Sequence, residues 1–264
     1  MHEESSATEQ GAVIVEVQDG RWHVQLSNPQ RRNAIDVSMR EQLASVLQEA
    51  ATDAGCRVVV LSGVGGTFSA GGDLSTMTAE DAVVRRRMHG MADAVQRIVR
   101  CPRPVIAAVE GFAYGAGLSL VAACDHVVAA RSARLCCPFS AVGLTADAGL
   151  HWSLPARVGA GRARTMIMLG EPLTAETAHA WGLVDTLVED GDCIEQAFAL
   201  AAALSRRAPL ALAASKRVLA DPAASLDTVL AAEATAQQEL LGTADFAEGR
   251  AAFFAKRPPR FDGR

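Results

Sequence analysis

The stretch that decides the fold is residues 104–130, PVIAAVEGFAYGAGLSLVAACDHVVAA. Its apolar, β-branched start, 105–109, predicts a buried strand. Glycines at 111, 115 and 117 follow, and a predicted helix and a second strand complete the stretch. A glycine turn between a strand and a helix start aims backbone N–H groups, and the positive end of the helix dipole, at whatever lies above it. Such a turn suits an oxygen on which negative charge develops, although tight packing alone is its commoner use.

Composition and charge exclude several classes of function. The chain has 264 residues, of which 50% are hydrophobic, and a formal net charge of -5. A substantial core is therefore expected, and nucleic-acid binding is disfavoured because the one basic run, residues 85–87, is typical of a solvated helix face. The sequence contains no run of about 18 apolar residues, so it predicts no membrane-spanning helix. The glycine spacing GxxxGxG differs from the dinucleotide fingerprint GxGxxG, and no phosphate-clamping lysine follows it.

The six cysteines are scattered, most of them in apolar runs. None of them forms a CxxC pair or another metal-ligand spacing, so they predict small buried hydrophobic side chains and no metal site. A reduced, cytoplasmic setting is expected from the same pattern.

The pattern of hydrophobic residues divides the chain into three segments. Residues 1–10 predict a frayed tail rather than a targeting peptide, residues 11–190 alternate predicted strands and helices, and residues 191–264 predict helices alone. Within the second segment, Ser38 with Glu41 three residues on predicts a capping box at the start of a helix. The chain is therefore expected to form an α/β body followed by an all-helical region.

A second glycine loop, VVVLSGVGGTFSAGGDL at 58–74, has the same plan as the first. The stretches NPQRRNAIDVSM at 28–39, LTAETAHAWGLVD at 173–185 and FFAKRPPRF at 253–261 complete a wider pattern. Together they resemble the crotonase superfamily, the enoyl-CoA hydratases and isomerases, over nearly everything from residue 11 on. The resemblance implies an α/β fold, a spiral of ββα units with a C-terminal helical trimerisation region, and hence a homotrimer or a homohexamer of two trimers. It also implies an acyl-CoA thioester substrate, with coenzyme A as part of the substrate and no permanently bound cofactor.

The same resemblance assigns residues to parts of the site. It implies an oxyanion hole formed by the backbone N–H groups of Gly72 and Ala116. A thioester carbonyl acidifies its α-carbon only if the enolate oxygen is stabilised, and each well-placed donor contributes roughly 3 kcal/mol. The positions that match coenzyme A contacts in the family are Arg32, Ala34, Ala70, Phe253 and Lys256. The last two often reach in from a neighbouring subunit, and a plain solvated role fits the basic residues equally well.

Two positions depart from the hydratase pattern. Hydratases carry two glutamates where this chain has Ser119 and Phe139, neither of which can act as a base near neutral pH. Ordinary hydration is therefore disfavoured. The remaining candidate is Asp147, which matches the aspartate of the dienoyl-CoA isomerases in a run, 138–155, that is similar to the ring-epoxide isomerases of phenylacetate degradation. We expect Asp147 to remove an α- or γ-proton and return it elsewhere along the dienolate, with burial beside Phe139 and Trp152 raising its pKa.

Other interpretations fit the same residues. Asp147 as the cap of a helix that begins near Ala148 is one. A thioester hydrolase with a triad of Ser119, His151 and Asp147, which would release free thiol, is another. A hydratase with atypical residues and an acyl-CoA-binding protein without chemistry would also keep the fold. The residues expected to line the acyl pocket are Met91, Phe112, Ser119, Phe139, Leu144 and His151. For Met91, and for His89 beside it, a plain core or helix-surface role is equally consistent.

Overall fold

The computed structural model describes residues 10–221 and 224–264, apart from the side chain at position 76. The predicted tail therefore lies outside the described residues, except for Gln10. The strands that form two sheets are β1 (Ala12–Gln18), β2 (Arg21–Ser27), β3 (Val58–Gly63), β4 (Val105–Val109), β5 (Phe112–Tyr114), β6 (His126–Ala130), β7 (Arg134–Cys136), β8 (Leu173–Thr174) and β9 (Thr186–Val188).

The larger sheet has the strand order β1-β2-β3-β4-β6-β9. Its first pair is the antiparallel hairpin of β1 and β2, and every later pair is parallel. Strand β4 is buried along its whole length, as expected for a parallel strand covered on both faces. Because β3 and β4 are parallel neighbours, the glycine loops that follow them emerge at the same edge of the sheet. This placement brings the two glycine-rich motifs together.

The smaller sheet has the order β5-β7-β8. The sequence predicts a short strand near Leu135, which is β7, but it does not predict that this strand forms a sheet with β5 and β8. Its strands are two or three residues long, and β5 lies inside the segment that was expected to be a plain glycine turn. Strand β5 pairs with β7 in parallel, and an isolated bridge joins Ser69 to Ala113. The small sheet therefore fixes both glycine loops to one support.

Helices cover the sheets and form the C-terminal part of the chain. Helix α3 is buried at every position, and α1 packs against α2 beside the sheet edge that carries the glycine loops. Helix α7 packs on β3 and β4, so the first helix of the predicted C-terminal region also covers the core. The helices are α1 (Val37–Thr52), α2 (Asp81–Arg100), α3 (Ala116–Ala123), α4 (Leu150–Val158), α5 (Ala160–Leu169), α6 (Ala175–Trp181), α7 (Cys193–Ser205), α8 (Pro209–Leu219), α9 (Leu226–Leu241) and α10 (Ala244–Phe254).

The start of α1 differs from the predicted capping box. Asp36, not Ser38, is the N-cap, and its carboxylate accepts hydrogen bonds from the backbone N–H groups of Met39 at 2.8 Å and Gly11 at 2.8 Å. Glu41 instead pairs with Arg86 on α2. The predicted cap is therefore wrong. Asp36, two residues before Ser38, pairs a free N–H group of the first helical turn and also binds the chain near Gly11, which leads into β1.

All six cysteines are free and buried, in agreement with the prediction that they pack as small hydrophobic side chains. Burial raises the pKa of Cys56 and of Cys124 to about 12. Among the described residues, no group of three His, Cys, Asp or Glu side chains is placed to hold a metal ion. No single helix there is long and apolar enough to cross a membrane; only α7 and α8 taken together, bent by 109°, have the required length and composition.

Candidate active site

The two glycine loops touch each other above the ends of β3 and β4. Tyr114 donates its N–H to the Ser69 carbonyl at 3.0 Å, and the Ser69 N–H is bonded to the Phe112 carbonyl at 2.8 Å. Gly71 has a φ of +103°, and a Cβ at this position would stand 2.9 Å from the Tyr114 carbonyl oxygen. Only glycine fits both this conformation and this close approach.

Gly72 presents its N–H away from the backbone that supports it. Ile35 donates to the Gly71 carbonyl at 2.7 Å and accepts from the Asp73 N–H at 3.3 Å. In a parallel bridge of this kind the residue between those two groups directs its own N–H to the other side of the strand. Ala116 is the first residue of α3, and the first N–H groups of a helix have no partner within it. Two backbone donors thus border the same cavity.

The cavity has a volume of about 330 Å³. Most of its wall is apolar, and both glycine loops contribute backbone to one side. Its charged side chains are Arg40, Arg87 and Asp147. The lining residues are Arg40, Ala70, Gly71, Gly72, Leu74, Met77, Thr78, Val84, Arg87, Met88, Gly115, Ala116, Pro138, Phe139, Val142, Leu144, Thr145 and Asp147.

Asp147 is the one carboxylate among the described lining residues. It precedes α4, whose N-cap is Gly149, and it accepts from the Leu150 N–H through its backbone carbonyl. The side chain therefore does not cap the helix, and the capping interpretation is wrong. Its Oδ1 atom is buried without a hydrogen-bond partner. Burial raises the pKa of Asp147 above its ordinary value, and the positive charges of Arg40 and Arg87 act against that rise.

The two arginines are the main feature that sequence reasoning missed. Arg40 lies on α1 and Arg87 on α2, and they are only 2% and 3% exposed. Arg40 donates through Nη1 to the Arg87 carbonyl at 2.9 Å and through Nη2 to the Ile35 carbonyl at 3.3 Å. Burial and the neighbouring Arg87 lower the pKa of Arg40 to about 10, so it stays charged at neutral pH. The missed signal is helical phase, because position 87 falls on the buried face with Met91 and Ala94.

Comparison with known proteins identifies this arrangement. The family described as "Enoyl-CoA hydratase/isomerase" matches residues 16–264. The chain belongs to the enoyl-CoA hydratase/isomerase family. The predicted family is thereby confirmed, and enzymes of this family act on CoA thioesters.

Relatives with different names share most of the chain. A "Probable enoyl-CoA hydratase" of Rhodobacter capsulatus is 40% identical over 257 residues, which cover 94% of this chain and 97% of that protein. The "1,2-epoxyphenylacetyl-CoA isomerase" of Escherichia coli is 35% identical over 259 residues, covering 96% of this chain and 98% of that protein. The crystal structure of an enoyl-CoA hydratase from Polaromonas sp. JS666 superposes with a TM-score of 0.90 at 36% identity, covering 95% of this chain and 100% of that one. The predicted crotonase-like α/β fold is confirmed by this match.

The structure does not bring together Ser119, His151 and Asp147, the triad of the hydrolase interpretation. Ser119 is 0% exposed, and its hydroxyl lies 3.3 Å from the Gly115 carbonyl and 3.2 Å from the Asp147 carbonyl. His151 is exposed and lies outside the cavity wall. Both were expected in the acyl pocket, and both expectations are wrong, because the first turn of α3 buries the serine and α4 turns the histidine outward.

Other expected pocket residues divide into two groups. Phe139 and Leu144 line the cavity as expected. Met91 is buried in the core and Phe112 packs edge-on against Tyr114 at 5.3 Å; neither residue lines the cavity. Trp152 is 41% exposed and, unlike Phe139, is not among the residues that line the cavity.

The residues matched to coenzyme A contacts lie in two separate regions. Ala70 lines the cavity and donates its N–H to the Arg32 carbonyl at 2.9 Å, which places Arg32 and Ala34 near the cavity rim. Arg32 is exposed, with its guanidinium 5.8 Å from the centre of the Phe112 ring. Phe253 and Lys256 are exposed at the end of α10 and do not line the cavity within one chain.

Asn33 ties the loop that carries Arg32 and Ala34 to the glycine loop that follows β3. Its carboxamide donates to the Val64 carbonyl at 2.8 Å and the Thr67 carbonyl at 2.6 Å, and accepts from the Asn28 N–H at 2.9 Å. Three bonds from one buried side chain fix the segment that carries Ala70.

Proposed function

We propose that this member of the family is an acyl-CoA isomerase that shifts a double bond by proton transfer through a thioester enolate. Gly72 and Ala116 supply the two N–H groups that hold the thioester oxygen, and Asp147 carries the proton. The observation that supports this proposal is the buried, unpartnered Oδ1 of Asp147 in a cavity whose described lining has no other carboxylate. A base with no competing hydrogen bond is available to a C–H group.

The proposed reaction conserves every proton. The Asp147 carboxylate takes a proton from the α-carbon of a 3-enoyl thioester, and the C–H electron pair moves onto the thioester oxygen as a dienolate. The same carboxyl group then returns the proton at the γ-carbon, the electrons flow back from oxygen, and a conjugated 2-enoyl thioester results. Opening a ring next to the thioester would use the same donors and the same shuttle.

Two electrostatic influences on Asp147 suit the role of a general base. Burial raises the pKa of Asp147, which makes its carboxylate a stronger base than an exposed aspartate, while Arg40 and Arg87 favour the charged form. In its ionised form the group accepts the α-proton of the substrate. Each backbone donor at the oxygen is expected to lower the barrier by roughly 3 kcal/mol.

Hydration is the competing activity within the family, and relatives carry both kinds of name. Two groups are needed for it, one to position water and one to return a proton to carbon. The Ser119 hydroxyl is directed to backbone carbonyls, and Phe139 is a hydrocarbon, so neither position supplies the second group. This favours the isomerase over the hydratase.

The test is the variant Asp147→Asn, assayed with 3-enoyl-CoA thioesters. Since general-base catalysis contributes about 10²- to 10⁴-fold, we expect kcat to fall by at least about 100-fold. Formation of the conjugated product is followed by absorbance, and deuterium incorporation from D2O by NMR. Asp81→Asn, in an exposed carboxylate on α2, is the matched control and should leave the rate unchanged.

Four other outcomes of these assays would contradict the proposal. A 3-hydroxyacyl product would identify a hydratase, and free thiol a hydrolase. Tight binding without exchange of the α-proton would identify a non-catalytic binding protein. An unchanged rate in Asp147→Asn would remove the aspartate from the mechanism.

The proposal includes the coenzyme A contacts and the assembly that the family suggests. Arg32, Ala34 and Ala70 are proposed to hold coenzyme A at the cavity rim. Phe253 on α10 and Lys256 just after this helix, both exposed, are proposed to complete the site of a neighbouring copy in a homotrimer or homohexamer. Their exposure in one chain supports this, because a large apolar side chain such as Phe253 gains from cover by another subunit.

A further inference from the structure

Asp147 lies in a loop of irregular backbone between the turn at 138–142 and α4. The two residues that follow it, Ala148 and Gly149, have φ values of +52° and +71°. A residue with a Cβ rarely adopts this left-handed conformation, and it persists only where the surrounding structure holds the backbone in place. The loop that carries the proposed base is therefore fixed by contacts with other parts of the chain.

One such contact comes from the Ser119 side chain on α3. Its Oγ lies 3.2 Å from the Asp147 carbonyl oxygen and 3.3 Å from the Gly115 carbonyl oxygen, so one hydroxyl proton is shared between two acceptors. The Leu150 N–H donates to the same Asp147 carbonyl at 3.0 Å, but that bond stays within the start of α4. The Ser119 hydroxyl therefore joins this loop to a separate helix.

Other helical hydroxyl groups of this chain show what a purely local bond looks like. Ser153, Thr165 and Thr235 each donate to the carbonyl oxygen four residues earlier. This is the common bond of a serine or threonine within a helix. Ser119 has the same local acceptor, Gly115, and in addition reaches a carbonyl 28 positions away in the sequence. Its contact with Asp147 is therefore a tertiary contact and not a consequence of helix geometry alone.

The serine lies behind the cavity wall, whereas both of its acceptors belong to residues of that wall. Gly115, Ala116 and Asp147 line the cavity, while Ser119 is fully buried and is not a lining residue. Gly115 directly precedes Ala116, the proposed second donor to the thioester oxygen. Ser119 thus ties the proposed base to the backbone that carries one half of the oxyanion hole, and it does so without touching the cavity.

We propose that Ser119 is a positioning residue that holds Asp147 against the first turn of α3, so that the carboxylate stays directed at the carbons next to the thioester. This inference rests on the proposed isomerase function. A reacting group that moves by about 1 Å can lose roughly 100-fold in rate, although substrate binding is little affected. The role of Ser119 is therefore expected in kcat and not in the affinity for the thioester.

The first test is Ser119→Ala, which removes the hydroxyl. We expect kcat for 3-enoyl-CoA thioesters to fall by about ten-fold, because the loop loses one of the bonds that fix the base. The dissociation constant of butyryl-CoA, a saturated thioester that is not turned over, should stay the same in isothermal titration calorimetry. Ser153→Ala is the matched control, since it removes a buried helical hydroxyl that bonds only to Gly149, and it should leave kcat unchanged.

The variant Ser119→Cys separates the hydrogen bond from the packing of the side chain. A cysteine fills nearly the same space, but its S–H group is a weak donor. We therefore expect kcat to stay well below that of the unaltered protein. Full activity in Ser119→Cys would show that only the volume at this position matters and would overturn the proposal. The same variant serves as the test of the hydrogen bond if Ser119→Ala fails to fold.

A double-mutant cycle tests whether Ser119 acts through Asp147. If it does, adding Ser119→Ala to Asp147→Asn should change the residual rate by less than about two-fold, because the group that it positions is already lost. Residual turnover is followed by exchange of the α-proton in D2O. A further ten-fold loss in the double variant would overturn the proposal, since the serine would then act on the oxyanion hole through Gly115.

The two proposals fail in distinguishable ways. If the unaltered protein forms no conjugated product, the isomerase function fails and the positioning role with it. If the unaltered protein isomerises its substrate and Asp147→Asn does not, yet Ser119→Ala and Ser119→Cys both keep full kcat, only the role of Ser119 fails.

Discussion

At the scale of single residues, Asp147 is governed by two opposing influences. Burial favours its neutral form, and the cations Arg40 and Arg87 favour its charged form. The balance leaves its pKa above that of an ordinary aspartate. For a general base the charged form is active, so the direction of this shift sets the acidic limit of activity.

The pH dependence of kcat/KM tests that balance. A base is lost when it is protonated, so activity should fall as pH is lowered through the raised pKa of Asp147, at a pH above the ordinary aspartate value of about 3.9. Arg87→Met removes one charge that favours the carboxylate, and so the acidic limb should move to higher pH. Arg86→Met should leave it in place. A limb unmoved by Arg87→Met would show that the arginine does not act on this base.

The arginines also show where sequence reasoning reaches its limit. The basic run 85–87 predicts a solvated helix face, yet helical phase puts Arg87 on the buried face with Met91. An arginine is rarely buried, so composition outweighed phase in that prediction. Asp147 could be selected because the family positions for glutamate were occupied by Ser119 and Phe139.

At the scale of elements, the glycine loops depend on close backbone contact and not on side chains. Gly71 meets the carbonyl of Tyr114 and abuts Gly115 on the neighbouring loop. The order strand, glycine turn, helix was predictable at 104–130 because each step has a strong local signal. The small sheet was not, since strands of two or three residues are stabilised by their neighbours and carry too little pattern of their own.

Gly71→Ala tests that contact. With a φ of +103° and a Cβ 2.9 Å from the Tyr114 carbonyl oxygen, the variant should lose about 1–3 kcal/mol of unfolding free energy and most of its kcat, because the Gly72 N–H moves. Gly161→Ala is the control. It lies within α5 and meets nothing within 4 Å, so it should gain about 0.5–1 kcal/mol. Urea unfolding measures both, and an unaffected Gly71→Ala would contradict the strain.

At the scale of the whole molecule, the C-terminal helices leave large apolar side chains uncovered. Leu230 on α9 is 51% exposed, and Phe254 on α10 is 74% exposed. Exposed residues of this size on neighbouring helices commonly mark a protein–protein interface. This agrees with the proposed assembly, in which α10 also carries coenzyme A contacts.

Sedimentation velocity tests the assembly. We expect a trimer or hexamer, and Leu230→Asp or Phe254→Asp should shift the distribution to smaller species because a charge is costly to bury at an interface. Val17→Asp, at a side chain that is 58% exposed on the edge strand β1, should leave the sedimentation coefficient unchanged. A monomeric parent protein at micromolar concentration would contradict the proposal.

The buried cysteines have a practical consequence for how this molecule can be observed. A thiol reacts as its thiolate, and enclosure keeps both the reagent and the ionised form away from positions such as Cys56 and Cys124. Chromogenic labelling of the native chain would then proceed only as fast as its interior opens. The rate at which the native thiols are labelled would therefore measure how often the core opens, without an engineered probe.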